Sequence, residues 1–276
     1  MITKEQKEKA ALESQKIADN MHPIKHRIVV FSGKGGVGKT TVSVNLSYGL
    51  QLHGFQTGIL DADITGPNVP KMMGVQGEVH TQDTKIVPQE SRGVKVVSMA
   101  NILPKNRAVV WRGPMRSKMI KEFLGNVNWG ELDFLVADLP PGTGDESLTI
   151  AQSMKPDMAI VITTPQEVSL LDSARAINMA KEMQIPNIVL IENMSGLTCP
   201  HCGEIIDLFG SGGGKKQAEE MQIPFLGAIP MNLEARKLAD NGKSILIENK
   251  EADISKAIYH IVAEIENICN KSTSTS

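Results

Sequence analysis

Two lysines that could act on phosphate groups, Lys34 and Lys39, lie in the glycine-rich segment GKGGVGKTT at residues 33–41. The spacing Gly-x-x-x-x-Gly-Lys-Thr is the Walker A pattern, in which backbone N–H groups approach phosphate oxygens at the start of a helix. We expect Lys39 to reach the β- and γ-phosphates and the Thr40 hydroxyl to hold Mg²⁺. The residues expected to bind the nucleotide here are Gly33, Lys34, Gly35, Gly36, Val37, Gly38, Lys39, Thr40 and Thr41. One lysine is sufficient for nucleotide binding, so Lys34 requires a separate explanation.

Carboxylates follow two apolar segments further along the chain. Asp61 and Asp63 come after a segment that ends at Leu60. Carboxylates two positions apart can serve different partners, one the waters of a metal ion and the other an attacking water. Both could instead cap a turn before Gly66, which is a common role of aspartate. Asp138 closes a second apolar segment, as in the Walker B arrangement that anchors Mg²⁺, and the PPGTG sequence that follows can rearrange around a γ-phosphate.

A third group of reactive residues is the pair Cys199 and Cys202 in the segment TCPHCG. Two thiols at this spacing can share a soft metal ion, form a redox pair or remain inert. A closed tetrahedral site needs four ligands, and a second copy of the chain across a two-fold axis is the simplest way to supply them. His201 could in principle be a further ligand, although adjacent positions rarely all face one ion. Cys269 is expected to be a buried apolar residue of a terminal helix with an isoleucine stripe.

These segments are separated by alternating strand and helix patterns. Apolar, β-branched runs predict strands at residues 26–32, 57–60, 94–99, 132–137, 158–163, 187–191 and 225–228. Helical spacing at residues 40–52 and 165–183 predicts crossover helices between them. The predicted fold is α/β, a single-domain P-loop NTPase whose mostly parallel sheet is covered by helices on both faces. Ligands of such sheets bind beyond the carboxyl ends of the strands, where these motifs fall.

Two further glycine-containing or polar segments receive simpler interpretations. Residues 210–215, GSGGGK, lack the Gly-Lys-Thr ending of a phosphate loop, and we interpret them as a flexible link and a helix start. Residues 77–94 are predicted to be a polar excursion. Residues 1–24 are charged and predict a peripheral helix, residues 25–270 form the nucleotide-binding domain, and residues 271–276 are expected to be a frayed tail.

Composition narrows the classes of function. The formal net charge of the 276 residues is −2, so there is no broad electrostatic basis for binding nucleic acid or an anionic membrane. The chain begins without the apolar core of a signal peptide, and no stretch approaches the roughly 20 apolar residues that span a bilayer. Three cysteines do not predict a disulfide framework. We therefore expect a cytoplasmic protein without nucleic-acid or membrane partners.

The ordered set of motifs resembles a known family. The two-lysine loop, DAD at 61–63, WRGP at 111–114, DLPPGTGD at 138–145, TPQ at 164–166 and CPHC at 199–202 look like the Mrp/NBP35 group of iron–sulfur cluster carrier ATPases. That group belongs to the deviant Walker A class, with the nitrogenase iron protein and the MinD and ParA ATPases. The resemblance covers about residues 25–265. It depends on the order of the motifs rather than on any one of them.

The resemblance implies roles for the matched nucleotide-site residues. Lys34 matches the signature lysine that crosses a dimer interface to the phosphates of the nucleotide in the other subunit, which makes hydrolysis depend on dimerisation. Asp63 matches the carboxylate that positions the attacking water. Asp61 and Asp138 match acidic groups around Mg²⁺. The implied catalytic residues are therefore Lys34, Lys39 and Asp63.

The remaining matches concern the base and the cluster. Asn193 and Pro230 match positions that contact adenine, and Cys199 and Cys202 match the pair that bridges a labile [4Fe–4S] cluster between subunits. Some relatives carry an N-terminal cysteine cluster or an additional domain. Residues 1–24 contain no cysteine, so we expect a minimal carrier. The function implied is a homodimeric, slow, Mg²⁺-dependent ATPase that transfers the cluster to apo iron–sulfur proteins. The alternatives are a MinD- or ParA-like positioning ATPase, a thiol oxidoreductase, and a structural zinc site.

Overall fold

A computed structural model describes residues 4–64, 66–77, 80–83, 85–99 and 113–273. Trp111 and Arg112 of the sequence motif lie outside these ranges. So do residues 1–3 of the predicted N-terminal helix and residues 274–276 of the predicted tail.

The described chain alternates strands and helices through most of its length. The strands are β1 Ile24–Ser32, β2 Thr57–Asp61, β3 His80–Gln82, β4 Lys85–Val87, β5 Gln89–Ser91, β6 Val94–Ser98, β7 Leu132–Asp138, β8 Met158–Thr163, β9 Asn187–Thr198, β10 Ile205–Ile206 and β11 Phe225–Met231. The helices are α1 Lys4–Met21, α2 Lys39–Leu52, α3 Val69–Met72, α4 Gly113–Asn126, α5 Asp145–Met154, α6 Glu167–Glu182, α7 Gly213–Met221, α8 Leu233–Asp240, α9 Ile245–Glu248 and α10 Asp253–Thr273.

The central sheet is mostly parallel, as predicted. Strands β11, β9, β8, β1, β7, β2 and β6 lie side by side in that order, and each neighbouring pair is parallel. Antiparallel β5 borders β6, and the short β10 pairs with the distal end of β9. The chain order changes direction at β1, which lies between β7 and β8. In open α/β sheets a crevice for ligands opens at the carboxyl ends of the strands beside such a point.

Apolar side chains are buried on both faces of the sheet. On one face α2 and α10 cover the strands, and the isoleucine stripe of α10 packs into this layer through Ile254, Ile258, Ile261 and Ile265. On the other face a second core contains Phe31, Ile120 and Trp129. Cys269 is only 5% exposed, and burial raises the pKa of its thiol to about 12. The α/β prediction and the apolar role of Cys269 are confirmed.

The structure extends some predicted elements. Strand β9 was predicted to stop at Ile191 but continues to Thr198. After Ile191 the continuous apolar run is interrupted by Glu192 and Asn193, so the apolar pattern ends early, while pairing with β11 and β10 continues. The polar excursion contains the β3–β4 hairpin and β5. Among the described helices, none combines the length and the apolar character needed to cross a bilayer.

Candidate functional site

The glycine-rich loop connects the end of β1 to the start of α2, and several of its positions require glycine for steric reasons. Gly36 and Gly38 have φ of 82° and 81°, a region that glycine adopts at little cost. A Cβ on Gly38 would clash with Nδ2 of Asn193, and a Cβ on Gly33 would clash with the backbone oxygen of Asp172 in α6. The loop is therefore closely packed between β9 and α6.

Lys39 lies in a buried hydrogen-bond network around Asp138. Its Nζ donates to Oδ1 of Asp138 at 2.7 Å, and the two side chains are 7% and 1% exposed. The Thr40 hydroxyl donates to Oδ2 of Asp138 at 2.7 Å, and the Ser43 hydroxyl donates to Oδ1 at 2.8 Å. The first turn of α2 thus meets the end of β7, and the predicted Walker A and Walker B residues are brought together. Ser43 was not predicted from the sequence.

Asp61 is a second buried carboxyl group beside Asp138. The two residues are register partners at the ends of β2 and β7, and Asp61 is fully buried. Burial, followed by the negative charge of Asp138, raises the pKa of the Asp61 carboxyl from 3.8 to about 7. Its oxygens accept hydrogen bonds from the Asp63 N–H, the Val69 N–H and the Ser98 hydroxyl, at 3.2, 3.3 and 3.1 Å. A cation placed here would relieve the repulsion between the two carboxyl groups.

Asp63 lies just beyond β2 and is half-buried. Its Oδ1 accepts a hydrogen bond from the backbone N–H of Gly66 at 3.0 Å. The turn-capping contacts that formed the simpler interpretation of this segment are therefore present. They hold Asp63 at the same edge of the sheet as Asp61 and Asp138.

Lys34 has different surroundings from Lys39. Its side chain is half-buried, and within the described part of the chain its ammonium group makes no hydrogen bond or ion pair. The adjacent stretch of α6 exposes Val168 and Leu171, which are 65% and 68% accessible. Among the described residues the second lysine thus finds no acceptor, and the preceding Gly33 packs against Asp172 of the same helix.

A cavity of about 560 Å³ adjoins the start of α2. Gly38, Thr40 and Thr41 form its floor, and Asn193 and Pro230 line it together with residues of α8. Nδ2 of Asn193 donates to the backbone oxygen of Val37 at 2.8 Å, which fixes the amide against the loop. The two residues predicted to contact a base therefore lie in one cavity next to the phosphate loop.

The thiol pair lies in a hairpin between β9 and β10. Cys199 is half-buried and Cys202 is exposed. The Cys199 N–H donates to the Glu204 oxygen at 2.8 Å, and the Gly203 N–H donates to the Cys199 oxygen at 3.0 Å. Hydrogen bonds from the backbone N–H groups of Cys202 and His201, and then from the Cys202 thiol, hold the pKa of the Cys199 thiol below its ordinary value. This favours the thiolate, the form that binds metals.

The described part of the single chain contains no complete metal site. Within residues 4–64, 66–77, 80–83, 85–99 and 113–273, no group of three or more His, Cys, Asp or Glu side chains is placed to hold a metal ion. His201 is therefore not placed to form a three-residue site with the two cysteines. Two thiols alone leave half of a tetrahedral site unfilled.

Glu192 is a site residue that sequence reasoning missed. It is fully buried in β9, next to Asn193, and its Oε1 and Oε2 accept hydrogen bonds from the N–H groups of Gly212 and Gly214 at 3.0 and 2.6 Å. The Ser195 hydroxyl also donates to Oε1, at 2.6 Å. The glycine-rich segment at 210–215 is therefore a helix start whose N–H groups are satisfied by an internal carboxylate. The sequence signal that could have identified Glu192 is an acidic residue at the end of an apolar strand.

Comparison with known proteins finds a matching family model and similar iron–sulfur cluster proteins. Residues 23–266 match the family model described as ParA: NUBPL iron-transfer P-loop NTPase. An iron-sulfur cluster carrier protein of Methanocaldococcus jannaschii is 49% identical, covering 93% of this chain and 90% of that protein. The cytosolic Fe-S cluster assembly factor NUBP2 homolog of Dictyostelium discoideum is 42% identical, covering 93% of this chain and 98% of that protein.

Solved structures show the same architecture. The nucleotide-binding protein in complex with ADP from Archaeoglobus fulgidus superposes with a TM-score of 0.76 at 39% identity, covering 87% of this chain and 95% of that chain. The cell division ATPase MinD of Pyrococcus furiosus superposes with a TM-score of 0.65 at 22% identity, covering 88% and 99%. At this lower identity the similarity to MinD concerns the fold alone.

Proposed function

The chain belongs to the family of iron-transfer P-loop NTPases, and we propose that it is a homodimeric ATPase that carries a [4Fe–4S] cluster to apo iron–sulfur proteins. The observation that carries this proposal is the exposed hairpin with Cys199 and Cys202 on a chain whose described residues hold no complete metal site. Two copies of the hairpin would supply four thiolates. A cluster shared between chains and held near the surface is also easy to release.

The nucleotide in this proposal is ATP with Mg²⁺, bound by the loop at 33–41. On binding, Lys39 would exchange its contact with Asp138 for the phosphates. The Thr40 hydroxyl and the carboxylates of Asp61 and Asp138 are hard oxygen donors gathered at one point, which fits Mg²⁺ better than softer metals. Mg²⁺ commonly takes its other ligands from water and from phosphates. When bound, it would neutralise charge on the phosphate oxygens.

Asp63 is the residue we propose to orient the attacking water. It lies beyond β2, where its backbone is held through the hydrogen bond to Asp61. The ATP base would occupy the cavity lined by Asn193 and Pro230. The ADP in the Archaeoglobus fulgidus structure supports a purine diphosphate or triphosphate as the ligand.

The dimer is proposed from the features around Lys34. The half-buried ammonium has no acceptor in the described chain, and a phosphate in a second copy would supply one. Val168 and Leu171, exposed on the helix against which Gly33 packs, would be buried by the same contact. Hydrolysis would then require two chains, because each nucleotide would be completed by the lysine of the other chain. We propose the cytoplasm as the location, from the cytosolic Dictyostelium relative, and no nucleic-acid or membrane partner.

Anaerobic reconstitution with iron and sulfide tests the cluster. We expect about one cubane per two chains, by ligand count. Cys199→Ala and Cys202→Ala should each lose the cluster, whereas Cys269→Ala, which removes the buried third thiol, should retain it. Metal analysis of protein purified without air distinguishes an iron–sulfur cluster from a zinc site. Stoichiometric zinc that iron does not displace, or unchanged iron binding in the Cys199 and Cys202 variants, would overturn the proposal.

A further inference from the structure

The base cavity and the thiol hairpin share part of their structure. Leu197, near the end of β9, and Leu208, just after β10, both line the cavity of about 560 Å³. These two leucines flank the hairpin that carries Cys199 and Cys202. Leu208 is 59% exposed, so a base entering the cavity would find an apolar side chain that is still largely in water. The two ends of the hairpin thus form the wall of the cavity on that side.

The two arms of the hairpin are joined by strand pairing and a hydrogen bond across its loop. Strands β9 and β10 pair through Leu197 with Ile206 and Thr198 with Ile205. The hydrogen bond between the Cys199 N–H and the Glu204 oxygen, at 2.8 Å, closes the loop between them. A displacement of Leu197 or Leu208 would therefore displace the loop that holds both thiols.

The hairpin is joined to the phosphate loop by a strained stretch of β9. Asn193 donates to the Val37 oxygen at 2.8 Å, which holds the near end of this stretch. Met194 and Gly196 then have φ of 60° and 76°, and the pairing register with β11 shifts between Ile229 and Met231. A methionine in the left-handed region is uncommon and marks strain. Beyond the hairpin, Glu192 holds the N–H groups of Gly212 and Gly214, so the segments on both sides of the hairpin are anchored.

We propose that Leu197 and Leu208 transmit the presence of the nucleotide base to the thiol pair within one chain. A bound purine packs against both leucines and draws the hairpin onto the cavity, so that Cys199 and Cys202 become less accessible. The inference rests on the proposed function, because it uses the same nucleotide and thiol sites. It adds that the signal is carried by the base and the hairpin, separately from contacts between two copies.

Alkylation of the thiols by iodoacetamide tests this, with each cysteine followed by mass spectrometry in the reduced, metal-free full chain. Saturating Mg²⁺–ADP should slow alkylation of Cys199 and Cys202 by about fivefold or more, the lower end of typical coupling between two sites. Magnesium tripolyphosphate, which occupies the phosphate loop without a base, should leave the rate unchanged. The effect should not depend on protein concentration, because it arises within one chain.

A matched pair of variants separates the hairpin from the rest of the cavity. Leu208→Ala shortens the wall on the hairpin side, and Leu233→Ala makes the same change on α8, where Leu233 also lines the cavity and is 51% exposed. At saturating ADP, Leu208→Ala should lose the slowing and Leu233→Ala should keep it. Equal behaviour of the two variants, or equal slowing by tripolyphosphate, would overturn the inference.

Calorimetric titration distinguishes failure of the inference from failure of the proposed function. If ADP binds and the alkylation rates do not change, the inference is wrong while the nucleotide site stands. If ADP does not bind at all, the proposed function is wrong and the inference falls with it.

Discussion

Lys34 and Lys39 occupy one loop but have different electrostatic surroundings. The Lys39 ammonium lies 2.7 Å from a buried carboxylate and is anchored before any nucleotide arrives. Lys34 has no acceptor in the described chain and is half-buried, in a loop whose Gly33 packs against α6. The same residue type therefore serves two proposed purposes. In this proposal Lys39 binds phosphate in its own chain, and Lys34 completes the site of another.

Lysine substitutions separate these purposes. Lys34→Ala should leave ATP affinity within a few-fold of the native value but lower hydrolysis by at least about 1,000-fold, the scale of cations supplied in trans. Lys39→Ala should weaken ATP binding by about 10- to 100-fold, because it removes a charged hydrogen bond. Calorimetry and phosphate release measure the two quantities. Equal loss of affinity in both variants would return Lys34 to an ordinary role in the phosphate loop.

Asp61 predicts a pH dependence of stability. Its folded pKa of about 7 lies above the ordinary 3.8, so between these values the native state binds a proton that the unfolded state has released. The free energy of unfolding of the metal-free and nucleotide-free protein should therefore fall as pH rises from about 4 to about 7, by up to about 4 kcal/mol from this group. Above pH 7 this contribution should be constant.

Urea unfolding at pH 5.5 and pH 8, with a chelator present, measures this dependence. Asp61→Asn serves as the control because it cannot titrate, and the difference between the two pH values should shrink in that variant. A native protein that is equally stable at both pH values would contradict the assignment of the buried proton to Asp61.

At the scale of elements, β9 connects three parts of the site. Glu192 and Asn193 are consecutive, and in a strand they point to opposite faces. Glu192 holds the start of α7, Asn193 holds the phosphate loop, and the end of β9 begins the thiol hairpin. One strand thus determines the relative positions of the loop, the cavity wall and the cysteines.

Glu192→Gln tests the anchor of α7. The amide cannot accept at both positions, so one buried N–H loses its partner and the interaction with the helix N-terminus weakens. The free energy of unfolding should fall by about 1–3 kcal/mol, measured by urea denaturation. The exposed Glu204→Gln should change it by less than about 0.5 kcal/mol. Equal midpoints for the two variants would show that the buried carboxylate does not stabilise this region.

At the scale of the whole molecule, the proposed working unit is two chains. Three features each indicate a partner. Among the described residues Lys34 has no acceptor, the hairpin offers two thiols where a closed site needs four, and α6 exposes apolar side chains. These features lie on different elements, β1 to α2, the β9–β10 hairpin and α6. A second copy would satisfy all three.

Leu171→Asp tests the proposed dimer face. The charge should prevent burial of α6, so ATP-dependent dimerisation, hydrolysis and cluster content should fall together while the folded monomer still binds ATP. Leu12→Asp is a matched control, because Leu12 is 73% exposed on α1 and Leu171 is 68% exposed. Sedimentation velocity with ATP measures the assembly. Normal dimers in Leu171→Asp would place the interface elsewhere.

Much of the fold could be predicted because its signals are local. Strand and helix patterns repeat along the chain, and the predicted strand at 158–163 coincides with β8. Prediction stopped early in β9, where the polar residues Glu192 and Asn193 are buried and satisfied by strand pairing and hydrogen bonds. The pattern of apolar residues that predicts a strand does not detect such polar residues.

The sequence by itself determined the phosphate loop, the acidic strand ends and the thiol pair, because residue type and short spacing define their chemistry. Only the tertiary structure decided that Asp61 and Asp138 are neighbours, that Glu192 satisfies the glycine-rich helix start, and that two leucines join the base cavity to the thiol hairpin. The physical reason is that each of these contacts joins segments distant in sequence. Their proximity follows from the order of strands in the sheet, and the spacing of residues along the chain does not reveal that order.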